Sequence, residues 1–154
     1  MPPLEQTLDE AQEGDELELD EIWSFVYRRK NKVWLWLAQC RRTRQIVAYA
    51  LGCRGEATCR VLWQRIPTAY QSSTCFTDFW AAYAQVLPAK QHRRSDKRGA
   101  TNHLERWNNT LRQRVGRFVR KTLSFSKSDE MHEGALRLFI HHYNFSNRFS
   151  DENR

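Results

Sequence analysis

The chain has 154 residues and a net charge of +7, and hydrophobic residues make up 40% of it, including six Trp and eight Phe. This length and composition suit one domain with a substantial core and exclude a disordered polyelectrolyte. Four cysteines without a C-x-x-C pair argue against a zinc finger. The longest apolar runs, VWLWLA and IVAYALGC, are too short to span a membrane. Because the N-terminus is acidic, we expect no secretion signal and a soluble cytoplasmic protein.

The charge is unevenly distributed along the chain. Residues 1–21 contain nine acidic and no basic residues, whereas the remaining 133 residues contain 25 basic and nine acidic ones. A surface with this excess of positive charge attracts polyanions over long distances. Nucleic acid is the commonest partner of this kind, although a membrane surface or simple solubility would also explain the charge. No predicted helix combines a broad basic face with a lipid-like apolar face, so we do not expect a membrane partner.

The first half of the chain is predicted to be mainly strands. Residues 1–16 are acidic and without periodicity, and are predicted to be a disordered tail. Three strands rich in aromatic and β-branched residues follow, written ELELDEIWSFVY, NKVWLWLAQC and QIVAYALG. The polar clusters RRKN and RRTR lie between them and are predicted to be turns. Three consecutive strands at this spacing indicate an antiparallel meander.

The second half alternates between helices and short strands. Helical spacing of apolar residues predicts a helix in GEATCRVLWQRI, and STCFT is a short fourth strand. DFWAAYAQVL is a second helix, KQHRRS a fifth strand and NHLERWNNTLRQRVGRFV a long third helix. A last helix covers about residues 128–145, and residues 147–154 are predicted to be a frayed C-terminus. The order predicts an α/β domain over residues 17–146, with helices on the faces of its sheet.

Three carboxylates lie at notable places in this arrangement. Asp20 is in the middle of the first strand, Asp78 follows the fourth strand, and Glu105 is in the first turn of the long helix. Each has an ordinary explanation: a solvated strand face for Asp20, an N-cap for Asp78 and a capping box with Asn102 for Glu105. Glu21 is a rival to Asp20, but it is in phase with the apolar residues of its strand.

The joint placement of these acids favours a different interpretation. A residue within one strand, a residue at a neighbouring strand end and a residue on a packing helix can converge on one point. Carboxylate oxygens are the ligands that Mg²⁺ and Mn²⁺ prefer, and two such ions about 4 Å apart assist displacement at a phosphodiester. The basic surface would hold the DNA that supplies this phosphodiester.

Four segments carry a resemblance to a known family. In chain order they are ELDEIWSFV, CFTDFWAAY, NHLERWNNTLRQR and RKTLSFSKSDEMH, and together they resemble the catalytic part of insertion-sequence-1 (IS1) family DDE transposases over roughly residues 17–145. The resemblance implies a ribonuclease-H-like fold, with a mixed five-stranded sheet flanked by helices. It also implies a bacterial, nucleoid-associated enzyme that cleaves and joins DNA with two Mg²⁺ or Mn²⁺ ions.

The resemblance extends to individual site residues. It makes Asp20, Asp78 and Glu105 the catalytic metal ligands, and it makes Arg112, seven residues after Glu105, a catalytic basic residue. Arg112 shares a helix face with Glu105, so we expect it to contact a DNA phosphate as well. Further contacts that position the DNA backbone are expected from other basic residues, namely Lys97, Arg120, Lys121 and Lys127.

Several questions of function stay open at this point. Element ends and target DNA are the expected partners, together with further copies of the chain. Family members also carry a zinc-finger and helix-turn-helix region, often encoded in an upstream reading frame, and its product is a further expected partner. A ribonuclease-H-like nuclease without strand transfer would use the same three acids. A truncated or inactive remnant that only binds DNA is the alternative that is not an enzyme.

Overall fold

The computed structural model of the protein describes residues 1–95, 101–115 and 126–151. Five strands form a single sheet in these residues: β1 (Glu16–Val26), β2 (Arg28–Cys40), β3 (Ile46–Gly52), β4 (Thr74–Thr77) and β5 (His92–Arg94). Four helices flank the sheet: α1 (Glu56–Arg65), α2 (Ala81–Val86), α3 (Asn102–Arg114) and α4 (Asp129–Asp151). None of the helices in this described part of the chain is long and apolar enough to cross a membrane.

The sheet is mixed, with the strand order β3-β2-β1-β4-β5. The first three strands form the predicted antiparallel meander. The fourth and fifth strands are added to the other edge of β1, and both pairings are parallel. Parallel strands require a crossover connection, and α1 and α2 supply the two crossovers. This mixed five-stranded sheet with flanking helices confirms the predicted ribonuclease-H-like α/β fold.

Alternation along β1 and β2 divides the apolar residues between two cores. One face packs under α1 and α2, where Leu19 and Trp36 meet Leu62 and Tyr83. The opposite face packs under α3 and α4, and its buried residues include Ile22, Leu35, Leu37, Leu104, Trp107, Leu111, Leu136 and Ile140. Helices on both faces explain why the central strands are apolar on both sides. Trp107 is only 2% exposed, so it is a core residue.

The N-terminal residues differ from the predicted disordered tail. Leu4–Thr7 form a turn of 3₁₀ helix, and Thr7 is completely buried. The side chain of Asn144 on α4 donates to Thr7 Oγ1 at 2.9 Å, and Gln45 donates to the Thr7 carbonyl at 3.1 Å. The acidic composition gave no sign of these contacts, because they are made by an uncharged threonine and by the backbone.

Element boundaries also differ from the sequence-based prediction in three places. The RRKN cluster is the first part of β2 rather than a turn, and the single residue between β1 and β2 is Tyr27, which has a φ of 64°. Helix α2 begins at Ala81, three residues later than predicted. Helix α4 continues to Asp151, past the predicted frayed end. The predicted extension of α3 beyond residue 115 lies outside the described residues.

A chain of buried hydrogen bonds joins α4 to β1. His132 lies between two serine hydroxyls, with Nε2 2.9 Å from Ser24 Oγ and Nδ1 2.7 Å from Ser126 Oγ. Ser24 Oγ also donates to the Val33 carbonyl at 2.5 Å. The Ser24 hydroxyl therefore accepts from His132 Nε2–H, and His132 Nδ1 accepts from Ser126. A neutral imidazole satisfies all of these groups and fixes where the chain rejoins the sheet at residue 126.

Replacing His132 with leucine should destabilise the protein. The change leaves two buried hydroxyls without their partner, and we expect it to lower the free energy of unfolding by about 2–4 kcal/mol. Chemical denaturation followed by circular dichroism measures this difference. The exposed residue His142 on the same helix provides the matched control, and His142→Leu should change the stability by no more than about 0.5 kcal/mol. Equal effects of the two substitutions would contradict a structural role for the serine–histidine chain.

Candidate active site

The parallel pairing of β1 with β4 brings two of the predicted acids together. Glu18 on β1 pairs with Phe76 on β4, and the two strands are parallel. Asp20 and Asp78 each lie two residues further along the chain from this pair. Carboxylate oxygens of Asp20, Asp78 and Glu21 all lie within 4.8 Å of one another. One point in the molecule therefore collects three acidic side chains from two neighbouring strands.

Asp78 is held by a local turn and does not cap α2. Its Oδ1 accepts a hydrogen bond from the Trp80 backbone N–H at 2.9 Å. Helix α2 starts only at Ala81, and no side chain caps its N-terminus. The capping interpretation of Asp78 is therefore wrong, and the turn instead orients the carboxylate at the end of β4.

Glu21 is the member of the cluster that sequence analysis set aside. Its side chain faces the α1–α2 side, in phase with the apolar residues as predicted, and it is buried. Buried Tyr83 donates to Oε2 at 2.6 Å, and Arg54 donates to Oε1 at 3.2 Å. Its proximity to Asp78 could not be found from spacing, because it depends on where Asp78 lies after β4 ends.

The cluster is electrostatically strained. Burial raises the pKa of Asp20 to about 8, and the nearby negative charges of Glu21, Asp78 and Glu105 act in the same direction. Burial likewise raises the pKa of Glu21, although its hydrogen bonds to Tyr83 and Arg54 oppose this rise. Negative charge is therefore costly at this point unless a cation compensates it.

Helix α3 forms the opposite wall of an open cleft of about 510 Å³ around Asp20. Glu105 and Arg112 both line this cleft, so the structure brings the four predicted catalytic residues to one region. Glu105 is not among the three carboxylates that lie within 4.8 Å of one another. Asn108, which also lies on α3 and lines the cleft, donates from Nδ2 to Asp20 Oδ2 at 3.2 Å. The helix therefore contacts the cluster directly.

A buried glutamate holds the start of α3 against β1. Glu18 is completely buried, and its Oε1 accepts from the His103 backbone N–H at 3.1 Å. Arg41 lies 3.5 Å from its other oxygen and also stacks on the Phe76 ring at 3.6 Å. The N-cap residue of α3 is Thr101 and makes no capping hydrogen bond, so the capping box with Asn102 that would have been the ordinary explanation of Glu105 is not formed. Glu18 takes over that function from the neighbouring strand and fixes the turn that carries Glu105.

The other basic residues differ in where they lie relative to the cleft. Lys127 is exposed and follows Ser126, which meets β1 at Val26, but it does not line the cleft. Lys97, Arg120 and Lys121 lie outside the described residues. Arg54 was not predicted, yet it lines the cleft and contacts Glu21. It follows β3 in a segment without any recognisable motif, so sequence alone offered no signal for it.

Comparison with known proteins agrees with this geometry. The model of the IS1 transposase family matches residues 16–146. The insertion element iso-IS1n protein InsB of Shigella dysenteriae is 38% identical over 128 residues, which cover 83% of this chain and 95% of that protein. The insertion element IS1 4 protein InsB of Escherichia coli K12 is 36% identical over 128 residues, which cover 82% of this chain and 75% of that protein. The chain therefore belongs to the IS1 transposase family.

Proposed function

We propose that this protein is the catalytic domain of a DDE transposase that performs metal-dependent DNA cleavage and strand transfer for an IS1-type element. The observation that carries the proposal is the set of carboxylate oxygens from Asp20, Asp78 and Glu21 within 4.8 Å of one another. Asp20 and Glu21 line the same cleft as Glu105. An open cleft is needed here, because the substrate is a polymer that must enter from the side.

The donor set fits a hard divalent cation. All the candidate ligands are carboxylate oxygens, which favour Mg²⁺ or Mn²⁺ over softer metals. The raised pKa of Asp20, caused by burial and by neighbouring negative charge, is the strain that a bound cation would relieve. We assign Asp20, Asp78 and Glu105 as the ligands of two ions. Glu21 is a weaker candidate because Tyr83 and Arg54 already occupy its oxygens.

Bound Mg²⁺ or Mn²⁺ would activate a water and offset the charge that develops on the phosphodiester. The residues of the chain orient the reaction. Asn108 fixes the Asp20 carboxylate, the Trp80 turn fixes Asp78, and Glu18 fixes the start of the helix that carries Glu105. Arg112 lines the same cleft and is proposed to bind a phosphate. Further basic residues are proposed to hold the DNA backbone, namely Lys97, Arg120, Lys121 and Lys127.

Two successive displacements at phosphorus describe the proposed reaction. In the first, a water oxygen forms a bond to the phosphorus at the element end, and the bond to the 3′-oxygen breaks, leaving a 3′-hydroxyl. In the second, that hydroxyl forms a bond to a phosphorus in target DNA and displaces a 3′-oxygen there. Each step exchanges one P–O bond for another, so no covalent bond to the protein is required.

The partners of the reaction belong to the same proposal. Membership of a transposase family implies DNA binding, and we propose the element ends and the target as the two substrates. Because two ends must be handled together, we also propose that the chain self-associates and works with a zinc-finger/helix-turn-helix product of an upstream frame. We propose the nucleoid as its location, since both substrates are chromosomal DNA.

Removing the charge of Asp20 should stabilise the metal-free protein. The folded-state pKa of about 8 lies above the usual 3.8, so ionising Asp20 in the folded protein costs stability as pH rises through this window. We expect Asp20→Asn to raise Tm at pH 8 by roughly 2–6 °C in EDTA, and the gain should shrink toward pH 4. Thermal denaturation at both pH values measures it. Glu13→Gln, at an exposed acid, should show no such gain, and a lower Tm for Asp20→Asn at pH 8 would contradict the strained cluster.

Asp78→Asn should abolish the chemistry while leaving DNA binding intact. We expect cleaved and joined products to fall by about 100-fold or more, because one ligand of the metal site is lost. The reaction uses DNA with a free 3′-hydroxyl, target DNA and Mn²⁺, with the chain joined to an upstream DNA-binding region. Gel analysis separates cleaved from joined DNA, and a binding assay in EDTA measures affinity.

The matched control for this experiment is Asp129→Asn, which alters an exposed aspartate at the start of α4 outside the cleft. It should react like the wild type. Equal activity of Asp78→Asn and the wild type would exclude Asp78 as a metal ligand. Cleavage without joined product would favour a nuclease, and DNA binding without any reaction in the wild type would favour an inactive remnant.

A further inference from the structure

We propose that one wall of the catalytic cleft binds an unpaired nucleobase of the reacting DNA end. This inference rests on the proposed function, because it takes the phosphodiester to lie at the carboxylate cluster. The wall consists of Trp23, Trp34 and Arg54, and we refer to these residues as the aromatic wall. They line the same cleft as Asp20 and Glu105, on the side opposite α3.

Strand register explains how the two indoles come together. Trp23 on β1 and Trp34 on β2 are directly opposite each other in the antiparallel ladder, so their side chains lie side by side on one face of the sheet. The parallel partner of β1 ends at Thr77, level with the middle of β1. Trp23 and its partner Trp34 therefore lie beyond the part of β1 that pairs with β4. Both indoles are half-buried.

Their exposure distinguishes these two residues from the structural tryptophans of the fold. Trp36 is completely buried and Trp107 is 2% exposed, and each has several apolar neighbours in a core. Trp23 is absent from both core clusters, and Trp34 only packs against the edge of one. A large aromatic surface left partly in water beside a charged cleft is typical of a binding surface.

Arg54 adds a fixed cation to the aromatic wall. Its guanidinium lies 4.6 Å from the Trp34 ring centroid and 4.1 Å from that of Trp80. Trp80 Nε1 donates to the Arg54 carbonyl at 2.9 Å, and Arg54 is anchored to Glu21 at 3.2 Å. Its side chain is still 42% exposed. An arginine held in this way is preorganised to stack on a planar ligand or to donate to it.

A nucleobase is the planar ligand that this location favours. Indole rings bind bases by stacking, and an adjacent arginine adds a cation–π contribution. Bases inside a duplex are stacked on each other and cannot offer a face, so the ligand must be unpaired. A base attached to a nucleotide at Asp20 would lie next to the aromatic wall, since Asp20 lines the same cleft and Asp78 lies within 4.8 Å of it. Holding that base outside the duplex would keep the DNA end open for the reaction.

The first test uses the unmodified full chain in EDTA, where no reaction occurs. Duplex DNA with a short unpaired end is compared with the same DNA carrying abasic sites at the unpaired positions, with the unpaired strand at either the 3′ or the 5′ side. We expect about tenfold tighter binding of the DNA that carries bases. Charge and backbone are identical in the two probes, so the difference reports base capture alone. Equal affinities on both sides would overturn the proposal.

The second test assigns the preference to the aromatic wall. Trp23→Leu and Trp34→Leu should reduce the preference for bases to less than about threefold, whereas Trp34→Phe should keep most of it, because a phenyl ring still stacks. Trp63→Leu is the matched control, since Trp63 is a half-buried tryptophan on α1 outside the cleft. It should keep the full preference. Undiminished preference in both Trp23→Leu and Trp34→Leu would overturn the assignment, and circular dichroism of each variant checks that it is folded.

These measurements separate the inference from the proposed function. If the wild type prefers unpaired bases but never cleaves or joins DNA with Mn²⁺, base capture stands and the catalytic proposal fails. If it cleaves and joins DNA but does not distinguish bases from abasic sites, the catalytic proposal stands and the inference fails. Loss of the preference in the aromatic-wall variants, together with cleavage and joining of DNA by the wild type, would support both.

Discussion

The parallel pairing of β1 with β4 is the constraint on which the site depends. It joins completely buried Leu17 to completely buried Cys75 and sets Glu18 level with Phe76, which in turn brings Asp20 opposite Asp78. A slip of one residue would turn Asp20 to the other face of the sheet and move it away from α3. Burial of apolar side chains on both faces fixes the register. The positions of the acidic side chains in the cleft are thus determined by the packing of buried residues outside the cleft.

The β1–β4 register places several acidic side chains close to Asp20, which is electrostatically unfavourable. Burial and mutual repulsion raise the pKa of Asp20, and the nearest hydrogen-bond donors, Asn108 and the Glu21 backbone, offset only part of that cost. Such strain persists only where surrounding structure holds the groups in place. Here Glu18 ties α3 to β1, and the serine–histidine chain ties α4 to the far end of β1. The contacts that hold the fold together therefore lie around the cleft rather than within it.

Sequence patterns predicted the sheet well because the central strands are apolar and alternate regularly. They failed where contacts between distant residues decide the structure. The RRKN segment is exposed and basic, which is typical of a turn, yet it belongs to β2, and its first residue, Arg28, pairs with Val26 at the end of β1. The acidic N-terminus is similar, since Thr7 is buried by Asn144 and Gln45. Asp20, Glu105 and Arg112 line one cleft and Asp78 lies beside Asp20, but the positions of Glu21 and Arg54 depend on contacts that exist only in the folded chain.

Arg54 links the two parts of the cleft and suggests how they differ in chemistry. Its charge is already matched by Glu21, and its guanidinium is packed against Trp34 and Trp80. An arginine that is compensated in this way binds a phosphate less strongly than an exposed one, but it retains a planar surface for stacking. Arg112 lines the opposite, α3 side of the same cleft. The proposed roles of the two arginines therefore differ: Arg112 would bind the phosphate of a nucleotide, and Arg54 would stack on its base.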